Sequence, residues 1–434
     1  MLRIRIRRSL LATLVAVVAM ASITNGQESW TQWRGSDQTG VAGEGQFPVS
    51  WNEETGIDWK TAVPGKGSST PVAAGSRAYV TSGMDEKNHL IALDTQSGKI
   101  LWQTDLGPDR GNKHKKGGGS NPSPVIDGDR VYAYFRSGDL ACVSTGGKIL
   151  WQTNLQDRFG EDTLWWDLGS SPMLTESAVV VAVMQTGPSY LVAFDKTTGD
   201  VIWKEDRMLG APEEAAQSYS TPIAVSIDNH PAIAVMGADH LTLHDAATGK
   251  TIGKLGGFNP TEHKYFRSIS SPVAEGNIVV CPYSRGETVT AVRMDALVAG
   301  KGKEAIAWFR DDLGSDVPTP AALNGRVYLV GDGKTSRGKV WCLDVNSGAT
   351  LWSLDLPKSR ISYSSSPLIA GDHLYITGED ATTHVVGPLG SESPKVVATN
   401  PLSDDEPFTV ASPVPDGDAM MIRSKSNVYR ITGK

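Results

Sequence analysis

The groups of this 434-residue chain that could do chemistry are few and scattered. Its eight histidines are His89, His114, His230, His240, His244, His263, His373 and His384. The closest pair, His240 and His244, falls in a β-rich run. Residues i and i+4 of a strand share a face but lie about 13 Å apart, too far to share one metal ion. No metal site is therefore predicted. Neither the H-E-x-x-H pattern of metalloproteases nor the G-x-S-x-G elbow of hydrolases occurs. Gly333-Lys334-Thr335 ends like a phosphate loop, but Tyr328 stands where the first glycine belongs and the flanks read as strands. A hairpin tip is the better reading. Cys142, Cys281 and Cys342 are too few, and odd in number, for a disulfide scaffold, and no two adjoin. No catalytic residue is assigned.

The polar residues with a positional logic precede a recurring Ser-Pro or Thr-Pro step: Thr70-Pro71, Ser123-Pro124, Ser171-Pro172, Thr221-Pro222, Ser271-Pro272, Thr319-Pro320, Ser366-Pro367 and Ser412-Pro413. Successive prolines are 46 to 53 residues apart. If each proline opens the innermost strand of a repeat, the residues just before it ring one mouth of a central channel. Asp167, Tyr219, Arg267, Asp316 and Tyr363 are the candidates. Acids, aromatics and an arginine in a ring would make a ligand funnel. They would equally serve to hydrogen-bond neighbouring repeats. Trp165-Trp166 in the same region reads either as an exposed contact or as a cap on the core. Lys113-His114-Lys115-Lys116-Gly117-Gly118-Gly119 reads as a solvated loop, or as a contact for an acidic partner.

The elements that would position these residues follow from the repeat. After each proline come β-rich runs of alternating polarity, such as Arg130-Val131-Tyr132-Ala133-Tyr134, bounded by turn pairs such as Asp127-Gly128 and Asn324-Gly325. Then comes a second motif, an Asp followed by Gly four later and Trp eight later. It is complete at Asp94-Gly98-Trp102, Asp195-Gly199-Trp203 and Asp344-Gly348-Trp352. Elsewhere it degrades: Val143 replaces the Asp before Trp151, Gly253 replaces the Trp, and Arg293 replaces the Asp where an insertion delays Trp308. Four strands in 46–53 residues make one propeller blade. The chain is predicted to be all-β, an eight-bladed β-propeller of four-stranded blades. The last repeat ends without its Trp strand, and Ile57-Asp58-Trp59-Lys60 reads as a Trp strand without a blade. Residues around 57–63 should therefore complete the last blade, an N-to-C-terminal closure that hides both edges.

Residues 1–26 read as a signal peptide. A basic stretch (Arg3, Arg5, Arg7, Arg8) precedes an apolar run from Leu10 to Met20 that is too short to span a bilayer. Arg7-Arg8 also fits a twin-arginine signal. No Cys follows the apolar run, so no lipoprotein is expected. Residues 27–434 then form a single exported propeller, periplasmic or extracellular. Removing residues 1–26 takes four of the 41 basic residues and no acid; 37 against 48 leaves a net charge of −11. That argues against nucleic acid as a partner, and no later stretch reads as transmembrane.

Over roughly residues 30–431 the repeats resemble the pyrroloquinoline-quinone (PQQ) type of propeller repeat. Trp30-Thr31-Gln32-Trp33-Arg34-Gly35 and Ala411-Ser412-Pro413-Val414 are similar to segments of secreted PQQ-binding-like propellers, and the size is similar to that of BamB-like members. The resemblance implies structural, blade-packing roles for Trp59, Trp102, Trp151, Trp203, Trp308 and Trp352. It carries no activity with it. Quinone enzymes of this family hold PQQ against a vicinal disulfide beside calcium, and this chain has no adjacent cysteines, so neither PQQ nor calcium is expected. The reading is a non-catalytic exported propeller that binds or scaffolds a protein or envelope component. A PQQ-dependent oxidoreductase and a carbohydrate-binding propeller are the alternatives.

Overall fold

The computed structural model describes residues 29–52, 54–403 and 407–433. The predicted signal peptide lies outside the described residues. Eight four-stranded antiparallel sheets form the blades of a propeller. Blade 1 runs from the channel outward through Val72–Ala74, Arg77–Met84, Lys87–Asp94 and Ile100–Pro108. The inner strands of blades 2 to 7 begin at Val125, Met173, Ile223, Val273, Ala321 and Leu368. Blade 8 takes Val414–Asp416, Ala419–Arg423 and Asn427–Ile431 from the end of the chain and its outer strand, Ile57–Ala62, from the beginning. There Lys60 pairs with Tyr429 and Ala62 with Asn427. The closure predicted from Trp59 is present.

The outer strands keep the alternation expected of the sequence, as in Val201–Asp206, and the inner strand Ile223–Ile227 of blade 4 does too. Second and third strands, such as Ala178–Val183, are buried almost throughout. The reason is that a blade is covered on both faces by its neighbours, so both faces must be apolar. Cys142, Cys281 and Cys342 are buried, free thiols in blades 2, 5 and 6.

The Asp-Gly-Trp motif packs blade against blade. Five of the six blade tryptophans, all but Trp352, lie on the hairpin glycine of the next blade, not of their own. A Cβ on Gly98, Gly147, Gly199, Gly249 or Gly348 would fall within 3.0 Å of Trp59, Trp102, Trp151, Trp203 or Trp308 respectively. Each of these glycines also has positive φ, from 68° to 91°. Four of the indoles donate to the following hairpin: Trp59 to the Thr95 carbonyl (2.8 Å), Trp102 to Thr145, Trp151 to Lys196 and Trp308 to Val345. Two of the degraded copies are halves of one substitution. Blade 4 has Gly253 in place of Trp, and blade 5 has the short helix Met294–Val298 in place of the glycine hairpin. Leu297 of that helix packs on Gly253.

The channel is closed at one end by the N-terminal arm. Trp30 pairs with Ala73 of blade 1, and the Thr31 carbonyl accepts from Ile126 N of blade 2. Gln38 bridges the Pro222 carbonyl and Ala224 N of blade 4. The buried Arg34 guanidinium donates to the carbonyls of Pro320 (2.9 Å) and Pro367 (2.5 Å), in blades 6 and 7. Gly40 O accepts from Ile369 N. The turn between Arg34 and Gly40 needs its glycines: Gly40 has φ +74°, and a Cβ there would fall 1.9 Å from Arg34 Nη2. From Ala42 the arm runs under blades 7 and 8, where Trp51 N donates to Asn400 Oδ1, and then becomes the outer strand of blade 8.

Candidate functional site: a blind central funnel

Strand period sets the channel wall. The residue immediately before each proline points inward, and so does the residue two positions earlier, because alternate residues of an extended chain share a side. The first set forms a closed hydrogen-bonded ring. Thr70 N donates to Ser123 Oγ, Ser123 N to Ser171 Oγ, and so on through Thr221, Ser271, Thr319, Ser366 and Ser412, whose N–H returns to Thr70 Oγ1. All eight bonds are 2.8–3.1 Å. The second set is Ser68, Asn121, Gly169, Tyr219, Ile269, Val317, Ser364 and Val410. Both rings, with Trp33 of the arm, line a shaft of about 190 Å³. The arm bonds to the prolines and to residues beyond them, further along the inner strands, so it is the floor. The other end widens into a mouth of about 390 Å³.

Of the five candidates, Asp167, Tyr219 and Arg267 line this mouth. Asp316 stands behind Arg267 and binds it through both oxygens, at 2.7 and 2.9 Å. Tyr363 does not reach the wall. It is buried in the cluster containing Trp352 and Leu356, while its neighbour Ser364 faces the shaft. The correction is one of register: Tyr363 is four residues before its proline, an outward-facing position. Counting back in twos from the residue before each proline would have selected Asn121 and Ser364 instead. His114, Lys116, Glu214 and Arg285 also line the mouth. The first two come from the basic glycine-rich loop. Glu214 sits in a short 3-10 turn, Glu213–Ala216, and Arg285 at positive φ in another, Ser284–Gly286; irregular segments outside the repeat leave no sequence pattern.

The charges of the mouth are already matched. Asp167 accepts from Lys113 N, His114 N and Arg136, and so holds the basic loop. Glu214 accepts from Trp166 Nε1 (2.8 Å) and Arg285 Nη2 (3.2 Å), with Arg267 Nε at 3.7 Å. Lys116 reaches from the loop before blade 2 to Glu379 of blade 7 at 2.7 Å. Burial works against the Arg267 charge, but the Asp316 carboxylate prevails and raises its pKa above the ordinary value. Behind this pair, Asp332 accepts Asp316 N and Val317 N. Burial first, then the Asp316 charge, pushes Asp332 up to about 7. Trp165 and Trp166 are both exposed, and only Trp166 lines the mouth.

The fold and its repeat define a PQQ-repeat β-propeller with a one-ended channel. Residues 16–252 and 237–405 match the family model described as outer membrane protein assembly factor BamB, and the chain belongs to that family. A curated relative, the outer membrane protein assembly factor BamB of Alkalilimnicola ehrlichii, is 27% identical over 147 residues, 33% of this chain. The match spans about a third of that relative's length (34%). Among solved structures, BamB from Moraxella catarrhalis is similar with a TM-score of 0.62 and 13% identity, over 87% of this chain and 99% of that one. A europium-containing methanol dehydrogenase is similar with a TM-score of 0.69 and 12% identity, over 92% and 90%. The quinohemoprotein alcohol dehydrogenase of Comamonas testosteroni gives 0.66 and 13%, over 94% and 81%. At these identities the structural likeness is one of fold.

Proposed function

We propose that this chain is an exported, non-catalytic binding propeller that takes a protein or envelope component at the open mouth of its funnel. The observation that carries this is the pairing of the mouth. Asp167, Glu214, Asp316 and Arg267 are each committed to a neighbouring partner. Such walls recognise a ligand by shape and hydrogen bonds; they hold no carboxylate free to act as base or nucleophile. Membership of a family described as an assembly factor at the outer membrane supports a periplasmic place and a partner in the envelope. Among the described residues no helix is long and apolar enough to cross a membrane.

A reading without bound PQQ and calcium rests on the donor set. The mouth carboxylates are occupied by N–H groups and guanidinium ions, where calcium takes six to eight oxygen ligands. The three thiols lie in three different blades, so they offer no vicinal pair to a quinone.

The test is affinity capture from an envelope extract of the native host, with the mature protein and with Arg285→Ala, which alters the exposed rim of the mouth. The expected result is an envelope component retained by the wild type and depleted with the variant. Turnover of alcohols or sugars that requires added PQQ and calcium, and scales with protein, would overturn the reading.

A further inference from the structure

The mouth has unmet hydrogen-bonding capacity of both signs. Asn121 lines the mouth and the shaft, and its Oδ1 is out of solvent with no donor. Its amide orientation is settled, because Nδ2 faces the Leu168 carbonyl, which only accepts. A buried acceptor left without a donor costs about 1–3 kcal/mol, so this position favours a ligand that donates. Two cations offer the opposite. Arg285 spends Nε on the Tyr265 carbonyl and Nη2 on Glu214, leaving Nη1 for an acceptor. Lys116 has three N–H bonds and spends one on Glu379. Between these groups stands an aromatic platform. Trp166 is 42% exposed although its indole N–H is pinned to Glu214, and His114 meets its ring edge-on at 5.6 Å.

A ligand that fits must donate and accept, carry little net charge and present an apolar face. Every strong charge on the wall is already countered, so an ionic ligand would have to break a pair. Hydroxyl groups donate and accept at once, and a pyranose ring offers a C–H face to an indole. The mouth, at about 390 Å³, lies within the ~300–1,000 Å³ range of small-ligand sites. With the floor shut by Trp33, a ligand can enter from one side only. We propose that the funnel binds a neutral saccharide, with Trp166 as its platform and Asn121 as the acceptor for a ring hydroxyl. This rests on the binding reading above and names the ligand class.

The mature protein would be titrated with cellobiose, maltotriose and chitotriose, read by tryptophan fluorescence and calorimetry. At least one sugar is expected to bind saturably. Trp166→Ala and Asn121→Leu should each weaken it at least tenfold. Trp165→Ala, equally exposed but off the cavity wall, should change it less than twofold. Should Trp166→Ala fail to fold, Trp166→Leu and Asn121→Leu carry the test, each checked by its melting midpoint. Absence of saturable binding for all three sugars overturns the inference, as does equal weakening by the Trp165 and Trp166 variants. Envelope capture that succeeds with no sugar binding sinks this inference and leaves the binding reading standing. Sugar binding with no captured component does the reverse for a protein partner.

Discussion

The N–H of Ser412 donates to the hydroxyl of Thr70 at 3.0 Å, across 342 positions of sequence. This bond closes the ring of eight and joins blade 8 to blade 1 at the channel. Each link buries an N–H whose acceptor is the hydroxyl of the next blade, so deleting one hydroxyl strands one donor. Thr221→Val, which keeps shape and removes the acceptor of Ser171 N, is expected to cost about 1–3 kcal/mol. Thr197→Val, on an exposed hairpin, should cost under ~0.5 kcal/mol. Urea unfolding of the two variants checks the difference.

Trp59 fastens blade 8 to blade 1 as Trp102 fastens blade 1 to blade 2, each with one indole bond and one glycine beneath it. Both rings are partly exposed, so truncation should cost no more than the ~3–5 kcal/mol of a core aromatic. Trp59→Ala is expected to lower the unfolding midpoint about as much as Trp102→Ala. Deleting residues 27–64 should be worse, because it opens the ring and bares the edge of Asn427–Ile431. A truncated protein that stays monomeric with an unchanged midpoint would contradict the clasp.

The floor of the funnel predicts a non-additive pair. Arg34→Ala removes bonds to two blades, and Gly40→Ala forces a methyl into the guanidinium. Each alone should destabilise by about 1–3 kcal/mol, the range for losing a buried charged hydrogen bond or overpacking a core. The double variant should be less unstable than the sum, since removing the guanidinium removes the clash. A double-mutant cycle measures the coupling. Arg34→Lys should not rescue, because one ammonium does not reproduce the guanidinium fork.

Asp332 gives the fold a pH signature. Its carboxyl is raised from an unfolded value of 3.8 to about 7 in the folded protein. The folded state therefore holds the proton where the unfolded state has lost it, and this contribution to stability falls as pH rises from about 4 to 7. Asp332→Asn cannot ionise. The stability of the wild type relative to this variant should decline between pH 5 and pH 8 and then level off. Parallel thermal melts of the two proteins across that window decide it; parallel curves would rule the shift out.

The architecture was legible in the sequence because each blade repeats one local solution. A Ser or Thr before Pro opens every inner strand, so eight such steps count eight blades. Ile57-Asp58-Trp59-Lys60 betrayed the closure because an outer strand without a blade must be completed elsewhere. The wall of the channel was within reach by the same logic, since strand alternation alone puts Asn121 and Ser364 inward and Tyr363 outward. What only the tertiary structure decided are the relations between blades. The Asp-Gly-Trp motif reads along the chain as one unit, yet Trp59, Trp102, Trp151, Trp203 and Trp308 each rest on the next blade's glycine. Gly253 and the insertion carrying Leu297 look like two separate defects until the blades are set side by side. The plug is the extreme case. Nothing local in Trp30–Ala42 says where Arg34 and Gln38 point, because their partners are backbone carbonyls and amides from three blades, and a backbone group carries no residue-specific mark in a sequence. Their place is dictated by the geometry of a ring that exists only once all eight blades have closed.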